Sequence, residues 1–225
     1  MALILNIDTA LDAASICLSK DGNVLAINKN EKQKEHSEWL HISIKQIFQN
    51  SGLRINNLEA VAVTIGPGSY TGLRIGLASA KGICYALNKP LITVNTLLMM
   101  ANAAKDEPTD LLCPLIEARR MEVFAAIYSK NLEVIMEPKA LVLDENSFSE
   151  ELSENKICFF GNGNEKFRSI CSNSNAVFSN IISDASHMIR LSEKYFTGNK
   201  FADLAYTEPL YLKEFYTPPP RSSTR

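Results

Sequence analysis

The sequence has little of what metal sites and disulfide frameworks require. It holds three histidines, and its five cysteines are scattered, odd in number and set in apolar surroundings, so no metal-ligand spacing is present. His36 and His41 lie five residues apart, about 140° around a helix, and therefore cannot chelate one ion as an i, i+4 pair would. We interpret the cysteines as reduced, buried thiols and expect a cytoplasmic protein.

Basic clusters and long apolar runs are also missing. The formal net charge is −2, with no lysine or arginine run, so we expect weak affinity of this chain alone for nucleic acid. The first residues lack the basic and apolar regions of a signal peptide, and no run has the length of a membrane span. The composition, 46% hydrophobic and 21% charged, is that of an ordinary globular protein with one large domain or two small ones.

The stretch Ile65–Gly76 dominates what is present. The residues before it are apolar and β-branched, as in a buried parallel strand, and Leu73, Leu77 and Ala80 begin a helical repeat after it. Such a strand-to-helix turn is either an anion cradle or a site of tight backbone packing. It lacks the lysine of a P-loop and the spacing of a dinucleotide fingerprint. The glycine turn comprises Gly66, Pro67, Gly68, Ser69, Thr71 and Gly72.

The first strand ends at Asp8, and Asp21-Gly22 predicts a hairpin between the next two strands. Antiparallel strands with a carboxylate at the tip of the first are how actin-like domains begin. Asp8 and Thr9 are therefore possible vestigial nucleotide contacts, with Asp8 as a simple turn cap the other interpretation. Thr9-Ala10 stands where actin-like proteins carry a glycine, and it would crowd a phosphate.

Two helices are predicted to face a partner. In the helix at 36–50, Trp39 and Ile42 fall opposite the core-facing stripe, as either a lone surface aromatic or a partner-facing patch. The helix at 71–87 has internal glycines that would let another helix come close. Further along, Glu117–Val123 is either a solvated turn with local ion pairs or a functional segment, which would be a partner contact or a seam between the halves. We also expect a helix at Glu145–Glu154 and a last strand at Pro209–Lys213.

Several motifs together resemble one family. They are Met1–Thr9, His36–Glu38, Gly66–Gly76, Glu117–Val123 and Gly161–Gly163, and in this order they are similar to the TsaB family, also called YeaZ. The resemblance covers residues 1 to about 165. It implies an α/β, actin-like (ASKHA) fold of two subdomains with mixed sheets flanked by helices. We place the N-terminal subdomain at 1–106 and the C-terminal one at 107–216, followed by a disordered tail at 217–225.

The resemblance also implies a function. Members of this family are non-catalytic partners of a TsaD-type transferase in threonylcarbamoyladenosine modification of tRNA, together with a TsaE-type ATPase. The chain would form a homodimer when alone, would meet tRNA only through the complex, and would have no cofactor of its own. ATP or ADP and metal would belong to partner subunits, since Thr96 and Met100 stand where TsaD carries two metal-binding histidines.

In this family the first two helices form the partner interface. The resemblance and the helix patterns assign to it His36, Trp39, Ile42, Gln46, Gly72, Arg74, Gly76, Ser79 and Gly82. Two positions depart from the family pattern: Glu117 where aspartate is usual, and His41 where proline or an apolar residue is common. The rival hypothesis is an actin-like phosphotransferase or ATPase that binds ATP through Asp8 and the glycine turn.

Overall fold

A computed structural model of the chain describes residues 2–31 and 36–213. It contains two five-stranded mixed sheets with helices packed against them, which confirms the predicted α/β class. The predicted tail at 217–225 lies outside the described residues, as do residues 214–216. No helix in the described ranges is both long and apolar enough to span a membrane.

The first sheet comes from the N-terminal part of the chain. Its strands are β1 (Leu3–Asp8), β2 (Ala14–Lys20), β3 (Asn23–Asn30), β4 (Ala60–Gly66) and β5 (Leu91–Asn95), in the order β3-β2-β1-β4-β5. Strand β1 pairs antiparallel with β2 and parallel with β4. Because it is central in the sheet and covered on both faces, all six of its residues are buried, which explains its apolar run.

Alternate residues of β1 face different helices. Leu5 and Ile7 belong to the core under α1 (His36–Ser51) and α2 (Tyr70–Leu87). Ile4 belongs to the core on the other face, which includes α3 (Thr96–Ala103). The period-two alternation of a strand thus places helices on both sides of this sheet.

The second sheet is built in the same mixed manner. Its strands are β6 (Leu111–Glu117), β7 (Glu122–Ser129), β8 (Val134–Val142), β9 (Ile157–Phe160) and β10 (Ala176–Phe178), in the order β10-β9-β6-β7-β8. The short helices α4 (Ser149–Glu154) and α5 (Asn164–Arg168) accompany it. Its separate core contains a cluster of three phenylalanine rings, Phe148, Phe159 and Phe167, with centroids 4.8 to 5.2 Å apart.

One hydrophobic core joins the two sheets. It includes residues from both sheets, from α3, and from α6 (Ile189–Thr197) with the 3-10 turn Ala185–Met188 before it. The chain then returns to the first sheet, where the Ala202 amide donates to the Leu91 carbonyl at 2.8 Å. The boundary between residues 106 and 107 falls in the connection between α3 and β6 and stays a prediction.

Two expected elements differ from the structure. Pro209–Lys213 is not a strand: proline has no N–H to donate, and the segment forms a single backbone bond to the sheet, from the Leu210 amide to the Ile65 carbonyl at 2.7 Å. The helix expected from residue 145 starts only at Ser149, because Phe148 has a left-handed φ of 62°. All five cysteines are unpaired, and four of them are buried.

Helix α2 lies directly against the residue that follows β1. The Thr9 hydroxyl donates to the Gly72 carbonyl at 2.7 Å, and Thr9 is fully buried. A Cβ at Gly72 would collide with the Thr9 carbonyl oxygen, and one at Gly76 with the Thr9 hydroxyl. Gly82, on the same helix, has no atom of the other described residues within 4 Å of its ideal Cβ position, its chain neighbours and the backbone of its own helix aside. Two glycines are thus required by this contact, and the third is not.

Alanine substitutions should separate these glycines. We expect Gly76→Ala to lower the free energy of unfolding by about 1–3 kcal/mol, because the added methyl overpacks against Thr9. Gly82→Ala is the matched control and should raise it by up to about 1 kcal/mol through helix propensity alone. Urea unfolding followed by circular dichroism measures both. Equal gains in stability from the two variants would show that Thr9 does not approach α2 as closely as described.

Candidate functional site

The carboxylate of Asp8 is enclosed by its own chain. Asp8 is 1% exposed, and its Oδ1 accepts hydrogen bonds from the Thr64 hydroxyl at 2.7 Å and from the Ala10 amide at 3.1 Å. Its Oδ2 is buried without a hydrogen-bond partner among the described residues. The bond to Ala10 is that of a turn cap. Both predicted vestigial contacts, Asp8 and Thr9, therefore have partners within the protein.

Burial makes the Asp8 charge costly. It raises the pKa of Asp8 to about 6 from the ordinary value of 3.8, although the hydrogen bonds from Thr64 and Ala10 act in the opposite direction. The negative charge of Asp184 adds to the rise. A carboxylate that fills a nucleotide site would meet a metal ion or a solvated ligand, whereas this one is shielded from water and is influenced by the charge of a second carboxylate.

The glycine turn is occupied by backbone. The Ser69 amide, at the start of α2, donates to the Ala10 carbonyl at 2.7 Å, and the Gly72 amide donates to the Ser69 hydroxyl at 3.2 Å. A Cβ at Gly68 would collide with the same Ala10 carbonyl, and one at Gly66 would lie 2.5 Å from the Leu210 carbonyl oxygen. Of the two interpretations of this turn, the structure favours tight backbone packing. The rival ATP-binding hypothesis loses its phosphate cradle, because Ala10 fills it.

Polar contacts of Asn162 join the two halves of the molecule. The Asn162 side chain accepts from the Glu117 amide at 2.7 Å and donates to the Asp12 carboxylate at 3.0 Å. Lys166 contacts the Glu117 carboxylate at 3.1 Å. The charged segment Glu117–Val123 is thus both a turn with a local ion pair and part of a seam between the halves, so the two interpretations of it are compatible.

The described residues bring no three histidine, cysteine, aspartate or glutamate side chains together as a metal site. Thr96 and Met100, which the resemblance sets at the positions of two TsaD histidines, are both buried on α3. A thioether is a soft ligand that does not suit the hard or borderline cations that a histidine pair binds, and a threonine hydroxyl is no substitute for an imidazole. These two side chains therefore do not reproduce the donors of a histidine pair.

The predicted partner residues fall into two groups. His36, Gly72, Gly76 and Ser79 are buried, and Trp39 is half-buried against the core under α1. Trp39 therefore does not stand clear of its own core as the helix pattern suggested, because its large ring reaches the core from the side of the helix. Since Thr9 explains Gly72 and Gly76, their lack of side chains is no sign of a partner. Contact of these residues with a partner stays a prediction.

The exposed group lies on α1 and α2, which a side-chain hydrogen bond connects. The Ser79 hydroxyl and His41 Nε2 lie 3.1 Å apart and join α2 to α1. Ile42, Gln46, Arg74 and Gly82 are exposed, Ile42 by 58%. Sequence reasoning missed Tyr85, which is 82% exposed on α2. Its position off the Leu73–Leu87 apolar stripe was the signal that could have found it.

The pKa of Asp8 gives a test of its burial. Because the folded-state pKa lies above the unfolded value, the folded protein binds more protons, and stability is lost as pH rises from about 4 to about 6. Asp8→Asn removes this loss. We therefore expect the difference in the free energy of unfolding, Asp8→Asn minus the unsubstituted protein, to increase by about 2–3 kcal/mol as the pH rises from 4 to 7.

Urea unfolding at pH 4, 5, 6 and 7 provides the comparison. Asp106→Asn, at an exposed carboxylate, is the matched control and should run parallel to the unsubstituted protein. A constant difference between Asp8→Asn and the unsubstituted protein across this range would mean that Asp8 is solvated.

Known proteins resemble this chain over most of its length. The family model described as TsaD, tRNA N6-adenosine threonylcarbamoyltransferase, matches residues 23–207. The tRNA threonylcarbamoyladenosine biosynthesis protein TsaB of Escherichia coli strain K12 is 30% identical over 219 residues, which are 93% of this chain and 94% of that protein. The protein of the same name from Bacillus subtilis strain 168 is 28% identical over 216 residues, 93% of each chain.

A solved structure shows the same fold. YeaZ from Pseudomonas aeruginosa superimposes with a TM-score of 0.83 at 20% sequence identity, covering 94% of this chain and all of that one. The predicted arrangement of two mixed sheets flanked by helices is thereby confirmed. With the full-length likeness to the Escherichia coli protein and a family model matched over most of its residues, the protein belongs to the TsaB (YeaZ) family.

Proposed function

We propose that the protein is a non-catalytic subunit that dimerises with a TsaD-type transferase and supports threonylcarbamoyladenosine modification of tRNA. Membership of the TsaB family supports the process, since the relatives carry it in their names. The match to a model named after the transferase supports a shared ancestry with the proposed partner. A protein related to an enzyme is well suited to pair with it through an equivalent surface.

The closed glycine turn is the observation that carries the non-catalytic part. The Ala10 carbonyl accepts the Ser69 amide at the start of α2, so a phosphate would have to displace the protein's own backbone. The residues at the TsaD metal positions are Thr96 and Met100, which makes an equivalent metal site chemically unsuitable. ATP or ADP and metal are therefore assigned to the partner subunits, and this chain contributes no cofactor of its own.

The exposed side of α1 and α2 is the proposed interface. Gly82 is the central residue of the argument, because an internal helix glycine costs about 1 kcal/mol relative to alanine. The close approach of Thr9 explains why glycine is needed at 72 and 76, whereas the other described residues leave the space beside Gly82 open. A helix of the partner crossing at Gly82 would use that space. Ile42 and Tyr85 would supply the buried apolar and aromatic anchors.

The assembly follows from the same face. A chain with one unsatisfied helical face forms a homodimer when alone and exchanges into a heterodimer when the transferase is present. The TsaE-type ATPase would join this heterodimer. With a net charge of −2, the chain meets tRNA only through the complex, in the cytoplasm.

Substitutions on the exposed face should weaken the heterodimer. We expect Ile42→Glu and Gly82→Leu each to raise the Kd for the TsaD-type protein of the same organism at least tenfold, about 1.4 kcal/mol. The first buries an unpaired charge, and the second fills the space for the crossing helix. Ile182→Glu is the matched control, since Ile182 is 80% exposed in a loop outside α1 and α2. Calorimetry gives the Kd, and light scattering after size exclusion gives the stoichiometry.

Unchanged affinity in both variants, with the fold intact by circular dichroism, would reject this interface. A chain that stays indifferent to the transferase in every form would reject the scaffold function itself. ATP hydrolysis by the protein alone that Asp8→Ala abolishes would restore the enzyme hypothesis.

A further inference from the structure

A cavity of about 530 Å³ lies where two of the sequence motifs meet. Pro67, Gly68 and Tyr70 of the glycine turn form one side. The second side comes from the turn between β6 and β7 and from the start of β7, through Ala118, Arg119, Glu122 and Phe124, and residues 210–213 form the third. The cavity thus lies between the two halves of the molecule, and its volume is within the range of small-molecule sites.

Aromatic rings line this cavity and are held in place. The rings of Tyr70 and Tyr211 pack with their centroids 5.2 Å apart, at 32° to each other. The Arg74 guanidinium lies 4.0 Å from the Tyr70 centroid, and its Nε donates to the Tyr211 hydroxyl at 3.1 Å. Phe124 adds a third ring to the wall. These contacts fix the two tyrosines as a preformed surface for a planar ring.

The charges around the cavity do not cancel. Lys213 is paired with both oxygens of Glu122, at 2.6 and 2.8 Å. Arg74 is engaged by the two tyrosines. The exposed guanidinium of Arg119 also lines the cavity, and it has no ion pair or hydrogen bond with the described residues. An uncompensated guanidinium beside apolar and aromatic walls favours a ligand with a negative group at that edge.

We propose that this cavity binds a small molecule made of a planar aromatic ring and an anionic group. The ring lies against Tyr70, Tyr211 and Phe124, and the anion contacts Arg119. A protein segment is a poorer fit, because a cavity of this volume, walled on three sides, holds one ring system rather than a length of backbone. Sequence-tolerant stacking on aromatic side chains and guanidinium recognition of anions are both strong enough to give measurable binding.

Two matched pairs of variants test the two halves of the proposal. Arg119→Gln removes the cation in the cavity, and Arg120→Gln removes its exposed neighbour, which does not line it. Tyr211→Ala removes one ring, and Tyr206→Ala removes a tyrosine that is 84% exposed and outside the cavity. The probes are adenosine monophosphate and indole-3-acetate, with adenosine and indole as their uncharged counterparts.

Ligand-observed NMR titrations of the full chain at low salt measure each Kd. We expect Arg119→Gln to weaken both anions at least fivefold and to leave the uncharged probes unchanged. Tyr211→Ala should weaken all bound probes, and both controls should bind as the unsubstituted protein does. Thermal unfolding verifies that each variant is folded.

Absence of binding by both anions would overturn the proposal, as would equal affinity of anions and uncharged probes. Binding that Arg119→Gln and Tyr211→Ala leave unchanged would place the ligand elsewhere and overturn it too. The inference does not depend on the proposed function. Heterodimer formation through α1 and α2 is measured separately, so each can fail without the other.

Discussion

The contact between the loop after β1 and the start of α2 organises the N-terminal half. The Ala10 carbonyl accepts the Ser69 amide, and Thr9 lies against two turns of α2 at Gly72 and Gly76. Backbone meets backbone at Gly68 and Gly72, and the Thr9 hydroxyl approaches the helix at Gly76; each approach is possible because glycine has no side chain there. The backbone groups of the turn, which a nucleotide-binding relative would use to bind phosphate, here hold a strand and a helix together.

That contact also explains why ionisation of Asp8 is costly in the folded protein. The carboxylate lies at the end of a central strand, and the loop that follows it turns back over the site and excludes water. One hydroxyl and one amide compensate only one of its oxygens. The site is therefore suited to a neutral carboxyl group and poorly suited to an ionised one, the opposite of what a metal-assisted phosphate site requires.

Much of the fold could be predicted from the sequence, because its signals are local. The apolar run of β1, the hairpin at Asp21-Gly22 and the stripe of α2 each reflect burial of one face. The role of Gly72 and Gly76 could not be predicted, since the residue that requires them, Thr9, lies more than sixty positions away in the chain. A glycine within a helix indicates that another group packs closely against it, but the sequence does not indicate which residue supplies that group. The exposure of Tyr85 was readable, whereas the partial burial of Trp39 depends on ring size and rotamer.

The return of the chain to its first sheet has a consequence for biosynthesis. The Leu91 carbonyl is paired by the Ala202 amide and the Ile65 carbonyl by the Leu210 amide, and the Ser15 hydroxyl accepts from the Ala185 amide. The N-terminal half therefore leaves the ribosome long before its final hydrogen-bond partners exist. Long-range contacts of this kind slow folding and prolong exposure of unpaired backbone. These hydrogen bonds of the first sheet can therefore form only after most of the chain has been synthesised, although the residues of the sheet are synthesised first.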